Sequence, residues 1–132
     1  MAHLTVARRT ELFFTEVIAP LFKARGFRKT RLTFTRDGQR VRHVVQVHVA
    51  VTVSGGASPP EGYFRVWIGT DPQPSRARTE YDCAEHVELR ALVPSAAASW
   101  RAPPTKGPRR QALEREFSAS INALLAVLDA QR

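Results

Sequence analysis

Cys83 and His86 stand three residues apart, flanked by Asp82 and Glu85, and together they offer a nucleophile, a base and an acid. A thiolate, however, needs a cationic or helix-terminal setting, and working triads are assembled in space from separate segments rather than from one stretch of chain. The expectation is therefore that Cys83 is not catalytic. As metal ligands the same pair supplies two donors. His43, His48 and scattered carboxylates lack the second paired spacing that a zinc site uses, so no metal is expected. Gly38 and Gly55-Gly56 lack the spacing, lysine and following helix of a phosphate-binding loop, and no cofactor is expected. Glu80, Asp82, Glu85 and Glu88 form a loose acidic run, read as a solvated face.

The basic residues carry more. The chain of 132 residues has a formal charge of +8. Met1 to Val53 holds ten Lys/Arg against three Asp/Glu, whereas Ser54 to Arg132 holds ten against nine. Such an excess suits an anionic partner or serves solubility. Its clustering in the first part brings the argument to the elements that would display it.

Phe13, Val17 and Leu21, beside Phe14, Ile18 and Phe22, predict an amphipathic helix over Thr10 to Arg25. Thr10 is its expected N-cap, Gly26 its C′ residue and Pro20 a kink or break. Phe27 to Thr35 alternates as one strand, and Asp37-Gly38 signals a two-residue hairpin turn. The following run repeats valine at every second position from Val41 to Val53, broken only by His43, as in a strand with one buried face. Its length suggests a bend or bulge. Tyr63 to Gly69 should be a third strand and His86 to Val93 a fourth, with loops at 54–62, 71–82 and 94–108. Leu113, Phe117, Ile121, Leu124, Leu125 and Leu128 define a C-terminal helix with Pro108 in its first turn.

The expected fold is α+β in a single domain, 1–132. An N-terminal helix, an antiparallel sheet of three to four strands with a long hairpin, and a C-terminal helix place both helices on one sheet face. With the two-residue turn, Phe34 opposes Val41, Thr33 opposes Arg42 and Thr35 opposes Arg40. The polar face then collects Lys29, Arg31, Arg40 and Arg42, and a neighbouring third strand adds Tyr63, Arg65 and Trp67. These seven are the candidate partner-binding residues. The bland alternative is that a loop carrying Trp100 covers Tyr63 and Trp67.

Several short motifs also carry a likeness. The helix ending in Gly26-Phe27-Arg28-Lys29, Phe34 before the turn, Gln46 in the long strand, Phe64 to Gly69, and Arg90 with Leu92 ahead of Trp100 resemble a bacterial family known as domain of unknown function 4304. The chain departs from it at Arg101, where a second tryptophan is frequent. The resemblance implies the helix, sheet, helix order and no catalytic residues. Small bacterial domains of this kind look like candidates for immunity proteins, a fold-level analogy.

The functional expectation is a non-enzymatic binding protein, an immunity or inhibitor protein in its most concrete form, that takes an acidic protein partner. A nucleic-acid binder using the same arginine and aromatic face is the alternative. No apolar run reaches the roughly 20 residues of a membrane span, the single cysteine suits a reducing compartment, and the expected location is the cytoplasm.

Overall fold

The N-terminal helix begins earlier than its apolar rows suggest. In the computed structural model, which describes residues 4–52 and 61–132, α1 runs Val6–Phe13. Its N-cap is Thr5, whose hydroxyl accepts the Arg8 N–H at 3.0 Å. Thr10, the expected cap, lies inside the helix, buried, and donates its hydroxyl to the Val6 carbonyl at 2.8 Å. The interruption expected at Pro20 takes the form of a wide π turn over Phe14–Ile18, in which the Ala19 N–H reaches back five residues to the Phe14 carbonyl. A short α2, Ala19–Lys23, follows directly with Pro20 as its second residue, so the hydrogen-bond register widens just ahead of the residue that cannot donate. Gly26, at φ 84°, ends it as expected, and the Phe27 N–H closes on the Phe22 carbonyl at 3.1 Å while their rings pack edge to face.

The single strand read from Phe27 to Thr35 is two. β1, Arg28–Thr30, and β2, Thr33–Asp37, form a tight hairpin turning at Arg31, which adopts φ 54°. The alternation hid this turn because no glycine, asparagine or aspartate marks it. The next hairpin also differs from expectation. Asp37 pairs with Arg42, not with the far side of a two-residue turn, so Phe34 faces Val45 and Thr33 faces Gln46. Arg42 Nη1 holds both oxygens of Asp37, at 2.8 and 2.9 Å, and Gln73 adds a third bond, so Asp37 is spent as a strand residue. The displacement along the partner strand is an even number of residues, which keeps the valine face inward.

β3, Val41–Thr52, pairs with β4, Glu61–Pro72, without a break from Val41 opposite Pro72 to Thr52 opposite Glu61, and the expected bulge does not occur. β4 takes β5, Glu85–Glu88, and the two-residue β6, Trp100–Arg101, along its other edge. Among the described residues the antiparallel sheet therefore has six strands, ordered β1-β2-β3-β4-β5 with β6 on β4, not three to four. The expected fourth strand stops at Glu88, and Leu89–Leu92 forms a helical turn, α3. A 3-10 turn over Glu80–Asp82 occupies what composition reads as structureless loop.

The C-terminal helix α4 spans Pro108–Asp129. It packs with α1 and the π turn on one face of the sheet, as expected. Phe14 and Phe117 meet Phe64 edge to face, and Ile121, Leu124 and Leu128 fill the rest of that layer. Trp100 stacks on Phe64 and meets Phe117, so it belongs to this core side and covers neither Tyr63 nor Trp67. No helix among the described residues is long and apolar enough to cross a membrane.

Candidate interaction surface

Alternation along β3 and β4 turns Arg42, Val44, Gln46, His48 and Ala50, with Tyr63, Arg65 and Trp67, onto the face away from the helices. One half of that face is roofed by the segment from Gln73 to Ala84. Gly69 makes the close approach possible, since a Cβ there would lie 2.6 Å from Cys83 Sγ and 2.9 Å from Glu80 Cα. Val44 packs on Ala77 and Cys83 beneath the roof.

Polar bonds pin the roof down. Arg42 Nε donates to the Ala77 carbonyl at 2.8 Å, and the Glu80 N–H donates to Gln46 Oε1 at 3.1 Å. Glu80 itself is fully buried, contrary to the solvated acidic face read from the sequence. Its Oε1 lies 3.0 Å from His48 Nε2. His86 Nδ1 stands 3.3 Å from Oε2 but is not aligned to donate, which leaves that oxygen without a hydrogen bond among the described residues. Thr79 and Asp82 close the turn as a capping box, and the Arg78 and Thr79 N–H groups, followed by the Thr79 hydroxyl, hold the Asp82 carboxyl below its ordinary range.

Cys83 and His86 do not form a nucleophile and base. The thiol is directed at the Thr79 carbonyl, 3.6 Å away, whereas His86 stands beside Glu80, Tyr81 and Trp67. Burial, reinforced by the nearby Asp71, Asp82 and Glu80 carboxyls, pushes the thiol up to about 11. Among the described residues no group of three or more His, Cys, Asp or Glu side chains is placed to hold a metal ion.

The open half of the face is a depression of about 650 Å³ between the roof and the β6 side, lined by His48, Ala50, Tyr63, Arg65, Trp67 and Tyr81. Tyr63 is 46% exposed and Tyr81 68%, Arg65 is exposed, and Trp67 is half-buried. Charges around it are mostly settled within the chain. Arg42 pairs with Asp37, Arg101 with Glu61 at 3.1 Å and Arg90 with Glu88 at 3.4 Å, but Arg65 has no carboxylate partner among the described residues.

Of the seven candidate residues, Arg42, Tyr63, Arg65 and Trp67 share this face. Three do not. Lys29 pairs with Phe34, a core-facing position, because the Arg31 turn reverses the parity assumed for one continuous strand. Arg31 occupies that turn, and Arg40 lies in the β2–β3 loop. His48 shares the face, as the alternation along the long strand places it with Gln46, and Glu80, Tyr81 and His86 join it from segments that the alternation does not connect to it. Two signals pointed to them: the Thr79-to-Asp82 capping-box spacing, and a glycine inside a strand at Gly69. No family model matches the chain, and neither do any of the curated proteins or solved structures with which it was compared.

Proposed function

We propose that this is a non-enzymatic binding protein whose outer sheet face takes an acidic patch of another protein, with Arg65 between Tyr63 and Trp67 as the anchor. The observation that carries the reading is the isolation of Arg65, an exposed guanidinium set among aromatic rings with no carboxylate partner among the described residues. Arginine and aromatic side chains beside a recess are the composition on which protein interfaces concentrate their energy. Nucleic acid would need a row of free cations to displace its counterions, and here Arg42, Arg90 and Arg101 are already paired. An immunity or inhibitor role in the cytoplasm, suggested by the family resemblance, is the concrete form of the proposal.

Purification from the native host tests it. A stoichiometric protein partner that is retained by the parent chain and lost with Arg65→Glu supports the reading, while recovery of RNA alone overturns it.

A further inference from the structure

At the far edge of the sheet, between β1 and α2, lies a second depression of about 630 Å³. Its apolar lining includes Ala19, Pro20 and the buried ring of Phe27, and Lys23, Arg28 and Lys29 stand around it. We propose that this recess docks a segment of a partner protein that carries one large apolar side chain between aspartates and glutamates.

Charge is the first argument. Three cations line the recess and no carboxylate does, and none of the three takes part in an ion pair with a described residue. The neighbouring acids are already engaged: Asp129 with Arg25 and Arg36, Asp37 with Arg42, and Glu16 with Arg110 at 2.6 Å. Arg28 lies close enough to Asp37 to help lower that carboxyl, but Lys23 and Lys29 have no such neighbour among the described residues, so a net positive charge remains here, which favours an acidic partner and speeds its encounter.

Shape is the second. The recess adjoins the π turn, an irregularity that recurs at functional sites, and the small side chain of Ala19 leaves room beside Pro20. Its volume falls within the roughly 300–1,000 Å³ of pockets that bury a ligand group. Among the described residues β1 is the last strand of the sheet and has no neighbour on its outer edge, so an extended segment can lie along that edge while its apolar side chain enters the recess. A phosphate backbone would profit from a row of cations, whereas these surround an apolar hole.

The test is a titration of the full-length, isotopically labelled chain with the blocked peptide Asp-Glu-Phe-Glu-Asp, followed by amide chemical shifts. Shifts should centre on Ala19, Lys23 and Lys29 and spare Trp67. The affinity should fall about tenfold with Lys23→Glu or Lys29→Glu, and also when the peptide's phenylalanine becomes serine. Both lysine variants should stay folded with a melting temperature close to the parent's, because Lys23 is exposed and Lys29 is only half-buried. Absence of shifts at millimolar peptide overturns the proposal. So does equal binding of the serine peptide, displacement by a uridine oligonucleotide at the same amides, or a dimer of the protein alone that the lysine variants abolish.

Discussion

His48 Nε2 meets Oε1 of Glu80 at 3.0 Å, bringing a half-exposed imidazole on β3 onto a carboxyl group with no accessible surface, 32 residues further along the chain. The bond is one of those that hold the roof on the sheet. Truncating its two ends has different consequences. Glu80→Ala leaves two imidazoles that water can reach, whereas His48→Ala leaves a buried carboxyl oxygen short of a donor. Each should cost about 1–3 kcal/mol, with His48→Ala costing at least as much as Glu80→Ala, and the double variant should cost less than their sum. Urea unfolding of the four proteins measures this, and a neutral Glu80→Ala would contradict it.

Gly69 gives a second handle on the same contact. In Gly69→Ala the added methyl meets Cys83 Sγ and the Glu80 backbone, and backbone cannot yield as a flexible side-chain end can. The roof must lift. The expected cost is about 1–3 kcal/mol, accompanied by a red shift of tryptophan emission as Tyr81, which lines the same recess as Trp67, moves away with the roof. An unchanged spectrum together with unchanged stability would mean that the roof does not rest on Gly69.

These contacts also show where the sequence was readable. Periodicity alone placed the helices and the buried faces of β3 and β4, because burial of a face imposes a repeat that survives errors in turn length. The pairing is not that of a two-residue Asp37-Gly38 turn, yet Phe34 still faces inward, since the observed register is displaced from it by an even number of residues. The candidate surface fared worse. Its membership depended on Arg31, a residue that adopts positive φ without any turn signature, and that one reversal removed Lys29 from the expected face. The burial of Glu80 was invisible because hydropathy assigns a carboxyl to solvent, and only its three-dimensional partners reverse that assignment. Those partners come from strands distant in sequence.

A lone cysteine next to a histidine invites thiol chemistry, and the environment argues against it. With Cys83 buried and its thiol pushed up to about 11, the native protein should react with a disulfide reagent far more slowly than the urea-unfolded chain at neutral pH. Native reactivity equal to that of the unfolded chain would show the roof to be open in solution.

The far end of the core should make stability depend on pH in two steps. His43 is buried between Arg36 and Gln131. A guanidinium can only donate, so Nδ1 accepts from Arg36 Nη2 at 3.3 Å and the proton sits on Nε2, facing Gln131 Oε1 at 3.1 Å. Burial above all, helped by the Arg36 charge and only partly opposed by the Gln131 bond, lowers the imidazole below its ordinary 6.5. The unfolded chain then takes up a proton that the folded one refuses, so stability should begin to fall as the pH drops through 6.5 and should level off below the folded value. For Asp129, burial would raise the carboxyl, but bonds from Arg36 and Arg25 outweigh it and hold the group below 3.8. The Arg42 and Gln73 bonds lower Asp37 in the same way. Stability from these two carboxylates is complete above 3.8 and is lost as the pH falls further, toward their folded values. Urea unfolding across the acid range should therefore show an upper step that His43→Gln removes and a lower one that Asp129→Asn reduces. An upper step that survives His43→Gln would place the titrating group elsewhere.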